Sequence, residues 1–139
     1  MKPVYIIAEA GVNHNGDRDS AFRLVDAAVN AGADAVKFQT FNTESMVTKN
    51  ADKAEYQKQI ECGFETQFEM LKRLEMSYDM HYEIVEYCKK KKIDFLSTAF
   101  DLHSLDFLVQ HLKLKTLKIS SGDITDGPLL LAYAKTGCN

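Results

Sequence analysis

The chain has 139 residues and a formal net charge of −3, from 17 lysines and arginines against 20 aspartates and glutamates. Hydrophobic residues make up 45% and charged residues 27%, which is typical of a single globular domain. This charge balance argues against nucleic-acid binding, which needs clustered lysine and arginine. No apolar stretch approaches the roughly 20 residues of a membrane span, and the apolar start is too short for a signal peptide. We therefore expect a cytoplasmic protein with no membrane partner.

The cysteines and histidines show no metal or disulfide pattern. Cys62, Cys88 and Cys138 are scattered and form no C-x-x-C pair, which favours reduced thiols. The four histidines lack zinc-type spacing. Three of them lie on predicted helices, where a packed or solvated role is expected: His81, His103 and His111.

Four short apolar runs, rich in β-branched and aromatic residues, predict strands. They are Val4–Ala8, Ala35–Phe38, Ile93–Ser97 and Thr116–Ile119. The intervening segments have the apolar spacing of amphipathic helices. The first helix is predicted to begin at Asp17 or Asp19 and to end at Gly32. The later helices are predicted at Glu65–Glu75, at Tyr78–Lys91 with Ser77 as its cap, at Ser104–Leu112 and from near Pro128.

Alternating strands and helices predict an α/β fold with a parallel sheet. Two architectures fit this order: a small doubly wound sheet, or the first half of an eight-stranded (βα) barrel. A complete barrel needs about 200 residues or more, so this chain is too short to close one. The long polar stretch Asn42–Phe64 is expected to be a functional or flexible loop.

In parallel α/β folds, ligands bind beyond the carboxyl ends of the strands. Glu9, Asn13 and His14 follow the first predicted strand, and Thr98 and Asp101 follow the third. A turn with a helix cap explains Gly16 and Asp17 there, but explains Asn13 and His14 less readily.

Two predicted strands each carry a lysine in an otherwise apolar run. Because side chains alternate along a strand, Lys37 shares a face with Gln39, and Lys118 shares one with Ser120. An isolated buried ammonium group is costly unless it is paired. Salt bridges to acids such as Glu9 would satisfy these lysines, and so would an anionic ligand, which the spacing favours.

The residues Ser120–Asp123 directly follow the fourth predicted strand. Their hydroxyl and backbone N–H groups suit a phosphate or carboxylate, and glycine allows close approach of a ligand. The same residue types are also common in ordinary turns. This motif alone therefore leaves both readings open.

Six motifs in order resemble the N-terminal portion of the sialic acid synthase family, which includes N-acetylneuraminate synthase and its legionaminate and pseudaminate relatives. The motifs lie at residues 6–17, 33–41, 53–57, 69–75, 95–101 and 118–123. The resemblance implies a (βα)₈ TIM barrel followed by an antifreeze-like domain, in a homodimer. It also implies a transferase of sialic acid biosynthesis. Such an enzyme condenses phosphoenolpyruvate with N-acetylmannosamine, or a related amino sugar, to a nine-carbon 2-keto acid and phosphate.

The resemblance also implies roles for particular residues. Lys37 and Lys118 match lysines that hold phosphoenolpyruvate, and Thr98 and Ser121 match hydroxyls that hydrogen-bond to it. A divalent metal ion, manganese or magnesium, is implied as the cofactor. Its ligands are expected in the later half of such enzymes, so no metal ligand is expected in this chain.

Two acids match the family's catalytic positions. Glu9 matches a strand-one carboxylate, and Asp123 stands where the family has Glu or Asp for proton or water handling. Gln39 matches a contact to the amino sugar. The chain departs from the family at Ala99, where many members have proline, which changes turn rigidity without removing a ligand.

Residues 1–139 are therefore expected to form the first half of a TIM barrel, truncated after the fourth βα unit and lacking the antifreeze-like domain. The function expected is that of a sialic acid synthase-type enzyme, with doubtful activity for this chain alone. The alternatives are a non-catalytic remnant of such a synthase, a legionaminate or pseudaminate synthase, and another phosphate-binding enzyme of the aldolase type. The six motifs count against the last. Tyr56 and Gln57 are candidates for selecting the amino sugar.

Overall fold

The computed structural model describes residues 4–49 and 66–139. Three parallel strands form one sheet in the order β1–β2–β3, at Ile7–Gly11, Ala35–Thr40 and Asp94–Ala99. The helices are α1 Arg18–Asn30, α2 Thr43–Met46, α3 Gln67–Leu74, α4 Tyr78–Lys91, α5 Leu102–Asp106 and α6 Gly127–Lys135. A π-helical turn, Phe107–His111, continues α5, and a 3₁₀ turn, Ser121–Asp123, precedes α6. The α/β class and the parallel sheet are confirmed.

The helices begin where their capping residues predict. Asp17 accepts a 2.7 Å hydrogen bond from the Ser20 N–H at the start of α1, and Asp126 accepts one of 3.0 Å from Leu129 at the start of α6. A capping box between Thr66 and Glu69 starts α3. The α4 boundaries agree with the prediction. The predicted helix Ser104–Leu112 instead begins at Leu102, because Asp101 caps it, and it changes to π-helical geometry after Asp106.

All three strands end later than their apolar runs suggest. Each extends beyond the predicted end, so Glu9 and Thr98 lie within strands instead of following them. The prediction for the start of β1 is also wrong. The Ile6 N–H and carbonyl are bonded to Asp34, at 2.7 and 2.8 Å, in the turn that precedes β2.

The predicted fourth strand, Thr116–Ile119, is wrong for the structure described. Residues 116–119 form no strand, and the backbone of this segment is hydrogen-bonded to the end of the chain instead of to β3. The Leu117 N–H donates to the Asn139 carbonyl at 2.9 Å, and the Asn139 N–H donates to the Lys115 carbonyl at 2.9 Å.

The stretch Asn42–Phe64 is described only up to residue 49, and it contains the short helix α2. The motif at 53–57, with Tyr56 and Gln57, lies outside the described residues, as does Cys62.

One face of the sheet packs against α1 and α4. Val36, Phe38 and Phe95 lie on this face, in a core cluster that includes Val25 and Ile84. A second cluster joins Ala99 to the π-helical turn and α6. Because strand side chains alternate, Lys37, Gln39 and Thr98 occupy the opposite face. Over residues 4–49 and 66–139, no helix is both long and apolar enough to cross a membrane.

Candidate functional site

The centre of the candidate site is an ion pair across the first two strands. Glu9 is the register partner of Lys37, and its carboxylate forms a salt bridge with the Lys37 ammonium group. The Lys37 side chain is only 13% exposed, whereas that of Glu9 is 52% exposed. Of the two alternatives that the sequence leaves open, internal pairing is therefore present for Lys37. The half-exposed carboxylate leaves this pair accessible from the open side of the sheet.

Gly11 brings a second polar side chain beside this pair. A Cβ at Gly11 would lie 3.2 Å from Glu9 Oε1 and 3.6 Å from Gln39 Nε2. Gly11 also has a φ of +55°, which favours glycine. The Glu9 carboxylate and the Gln39 amide thus both lie close to Gly11, which has no side chain to separate them.

Thr98 completes the group on the sheet. It is the register partner of Gln39 and is 2% exposed. Register partners in a sheet point to the same side, so Thr98 lies beside Gln39. Four of the seven predicted site residues are thus brought together on the face opposite the helices: Glu9, Lys37, Gln39 and Thr98.

The other three predicted residues lie along the chain from 118 to 123. Lys118 and Ser121 are exposed, and no acidic partner lies within 4 Å of the Lys118 ammonium among the residues described. Asp123 is half-buried, and its Oδ2 atom is buried without a hydrogen-bond partner in the described part of the chain. A buried carboxylate oxygen that accepts no hydrogen bond is left unsatisfied. A proton, a cation or a ligand would satisfy it.

Local geometry partly explains the Ser120–Asp123 motif as a turn. The Ser120 hydroxyl accepts a 3.1 Å hydrogen bond from the Gly122 N–H, and the Asp123 N–H donates to the Ser120 carbonyl at 3.2 Å. This turn fixes the backbone but leaves the side chains of Ser121 and Asp123 available. The turn reading and the ligand reading are therefore compatible.

A tyrosine that the sequence reasoning missed connects the two groups. The buried Tyr133 hydroxyl lies 2.9 Å from the Ala99 N–H nitrogen, 2.8 Å from the Ala99 carbonyl oxygen and 3.5 Å from the Lys118 carbonyl oxygen. Burial, together with the charges of Asp123 and Asp101, raises the pKa of Tyr133 to about 12. The phenol is therefore neutral near pH 7. A tyrosine in an otherwise apolar helix is the only hint that the sequence gives.

Two histidines are buried behind the sheet. His81 is fully buried, and burial lowers its pKa to about 4. His14 is fully buried as well, its Nδ1 accepts a 3.0 Å hydrogen bond from the Gly16 N–H, and burial lowers its pKa. The packed role expected for His81 is confirmed, and His14 is packed in the core as well. His103 and His111 are exposed.

The described residues do not fit a metal centre. Within ranges 4–49 and 66–139, no group of three histidine, cysteine, aspartate or glutamate side chains could hold a metal ion.

Comparisons with known proteins show which family the chain resembles. A model of the NeuB family matches residues 24–139. The chain is 54% identical over 126 residues to N,N'-diacetyllegionaminic acid synthase of Legionella pneumophila, covering 91% of this chain and 35% of that protein. It is 38% identical to N-acetylneuraminate-9-phosphate synthase of Drosophila melanogaster, covering 91% of this chain and 34% of that protein.

A solved structure of a related enzyme has a similar fold. The N-acetylneuraminic acid synthetase of Leptospira borgpetersenii superposes with a TM-score of 0.82 at 36% identity, covering 99% of this chain and 43% of that one. The chain therefore spans between about a third and a half of the length of these relatives. With a family model matched over most of its length, the chain belongs to the NeuB family.

Proposed function

We propose that this chain carries the phosphoenolpyruvate side of a sialic acid synthase-type active site. The reaction joins phosphoenolpyruvate to an N-acylated amino sugar such as N-acetylmannosamine, giving a nine-carbon 2-keto acid and phosphate. The observation that carries the proposal is the convergence of Glu9, Lys37, Gln39 and Thr98 on one sheet face. Family membership supports the class of reaction.

The charges of the site suit a small anion. Phosphoenolpyruvate carries up to three negative charges, and a partly buried site needs fixed cations to bind it. Lys118 is exposed, and the Lys37 ammonium group has three N–H donors, of which the salt bridge to Glu9 does not use all. In this proposal both lysines hold the phosphate and carboxylate groups. The hydroxyls of Thr98 and Ser121 donate further hydrogen bonds.

Two carboxylates serve the chemistry. When C3 of the enol attacks the sugar aldehyde, positive character develops at C2, and water adds there before phosphate leaves. Asp123, with its unpartnered buried oxygen, is the group we assign to orienting that water or accepting its proton. Glu9 keeps the Lys37 ammonium in place and lies near the same reacting carbons, and Gln39 contacts the amino sugar.

The rest of the enzyme belongs to the same proposal. The chain spans 35% of the Legionella synthase, so we propose that the three-stranded sheet forms part of a (βα)₈ barrel in a cytoplasmic homodimer. The divalent metal ion, manganese or magnesium, would be held by residues beyond the span of this chain. Among the described residues, no group of three histidine, cysteine, aspartate or glutamate side chains could hold it.

The identity of the amino sugar has a second candidate. The 54% identity to an N,N'-diacetyllegionaminic acid synthase supports an amino sugar that carries two N-acetyl groups as a second candidate beside N-acetylmannosamine. Both substrates present an aldehyde and an N-acetyl group, so the phosphoenolpyruvate site would be the same for each. Assaying a panel of N-acylated hexosamines against the full-length protein separates the two candidates.

The proposal is tested in the full-length protein that carries this sequence, by following 2-keto acid and phosphate release. Lys37→Ala and Lys118→Ala should each raise the KM for phosphoenolpyruvate about 10- to 100-fold, as expected for the loss of a charged hydrogen bond. Lys115→Ala is the matched control, because Lys115 is also exposed and lies three residues before Lys118. Unchanged kinetics in both site variants, or no 2-keto acid from the wild-type protein, would overturn the proposal.

A further inference from the structure

The outer edge of β3 is closed by a side chain instead of by a strand. Successive residues of a strand direct their backbone N–H and carbonyl groups alternately to the two neighbouring strands. The Phe100 N–H donates to the Thr40 carbonyl of β2 at 3.1 Å, so the N–H and carbonyl of Ala99 point to the opposite edge. There the Tyr133 hydroxyl accepts from the Ala99 N–H and donates to the Ala99 carbonyl. One phenol thus makes both hydrogen bonds that a neighbouring strand would supply.

The same hydroxyl reaches the segment that carries Lys118. Its oxygen lies 3.5 Å from the Lys118 carbonyl oxygen, a longer contact than the two bonds to Ala99. Ala99 directly follows Thr98, so the phenol lies between the backbones of two proposed ligands of the anion. It is held there by burial, since Tyr133 is 6% exposed and packs with Leu108 and Leu129.

We propose that Tyr133 is a positioning residue that sets the distance between Thr98 and Lys118, and through them the affinity for phosphoenolpyruvate. This inference rests on the proposed function. The ring alone would fill the second core cluster equally well as phenylalanine. The hydroxyl adds two hydrogen bonds to the end of β3 and a 3.5 Å contact with the Lys118 carbonyl oxygen. Together these fix where the Thr98 hydroxyl and the Lys118 ammonium group lie relative to each other.

The test removes only that hydroxyl, in the full-length protein. Tyr133→Phe should raise the KM for phosphoenolpyruvate about 3- to 10-fold, the size expected for one neutral hydrogen bond. The KM for the amino sugar should stay within about twofold, since the sugar is held by other residues. Tyr87→Phe is the matched control, because it removes a hydroxyl bonded to Asp26 at 3.0 Å on the α1–α4 surface.

The outcomes separate the two proposals. A KM effect on phosphoenolpyruvate in Tyr133→Phe, absent in Tyr87→Phe at a similar thermal midpoint, supports the positioning role. Wild-type kinetics in Tyr133→Phe, or equal rises in both KM values, overturn it while leaving the proposed function intact. A wild-type protein that neither binds nor uses phosphoenolpyruvate overturns the proposed function, and this inference with it.

A second measurement needs no variant, in case Tyr133→Phe does not fold. Amide hydrogen exchange of the wild-type protein is recorded with and without phosphoenolpyruvate. Binding should slow exchange at the Ala99 amide, because a ligand that fixes Thr98 and Lys118 also fixes the phenol between them. Unchanged exchange at Ala99 under saturating ligand would overturn the positioning role.

Discussion

Thr40 and His81 share a hydrogen bond of 2.8 Å between Oγ1 and Nε2, where neither side chain meets solvent. His81 Nδ1 lies 2.8 Å from the Ser77 carbonyl oxygen and must carry the proton, so Nε2 accepts from the Thr40 hydroxyl. The Thr40 oxygen in turn accepts from the Ser97 hydroxyl at 2.7 Å. This buried chain of three side chains ties α4 to β2 and β3 directly behind Gln39 and Thr98.

The neutral state of His81 predicts a pH-dependent stability. Its pKa falls from the usual 6.5 to about 4 on folding, so between these values the unfolded chain binds a proton that the folded chain does not. Stability is therefore complete above about pH 6.5 and falls as the pH drops towards 4, by up to ~3 kcal/mol. Urea unfolding at pH 5 and pH 7 measures this loss.

His81→Gln is the comparison for that measurement, because glutamine does not titrate. The variant should lose less stability than wild type between pH 7 and pH 5. A residual loss is expected, since burial lowers the pKa of His14 in the same direction. Equal losses in the variant and the wild type would contradict the assignment to His81.

Removing the central hydroxyl of the chain should destabilise the fold. Thr40→Val keeps the shape but leaves His81 Nε2 without a donor and the Ser97 hydroxyl without its acceptor. A loss of about 1–3 kcal/mol in the free energy of unfolding is expected at pH 7. Thr116→Val, at an exposed threonine, should change stability by less than about 0.5 kcal/mol. Equal effects of the two substitutions would show that the buried chain contributes nothing.

Two glycines with the same backbone conformation should differ in their tolerance of alanine. Gly16 and Gly32 both have a φ of +73°, which costs an alanine about 1–2 kcal/mol. A Cβ at Gly16 would also lie 2.4 Å from the Arg73 carbonyl oxygen, whereas nothing lies within 4 Å of one at Gly32. Gly16→Ala should therefore be more destabilising by about 1–3 kcal/mol in urea unfolding. A loss no larger than that of Gly32→Ala would mean that the loop after β1 does not approach α3 this closely.

Cys88 should resist thiol reagents in the native protein. Its side chain is 1% exposed, and burial raises the pKa of its thiol to about 12, so the reactive thiolate is almost absent at pH 8. Peptide mapping by mass spectrometry after alkylation should find Cys88 unmodified until urea is added. Cys138, which is half-buried, serves as the internal comparison. Rapid native labelling of Cys88 would show that the first core cluster opens readily.

The sequence predicts the helices better than the ends of the strands, and the reason is physical. A helix such as α4 is bounded by local signals, here the Ser77 cap and a lysine-rich last turn. Strand ends depend on partners far along the chain, as Ile6 shows: it is apolar, yet 56% exposed and bonded to the turn at Asp34. For this reason the apolar run that begins at Val4 misplaces β1.

The same contrast between local signals and long-range contacts holds for the candidate site. Period-two alternation correctly groups Lys37 with Gln39, because it depends only on neighbouring residues. The choice of Glu9 as the partner of Lys37 depends on the register between strands, and the bonds of Tyr133 to Ala99 span 34 residues. Such long-range pairings have no local signature, so the sequence could name the ligand candidates but not the group that joins them.

The exposed start of β1 has a consequence for handling the protein. Within the described residues β1 pairs only with β2, and Val4, Ile6 and Ile7 are 82%, 56% and 45% exposed. The edge of β1 that faces away from β2 lies next to these exposed aliphatic side chains, and such an edge is a template on which a second polypeptide can add a strand. In concentrated solution this 139-residue polypeptide should self-associate through its first strand, and a charged substitution at Ile6 should keep it monomeric.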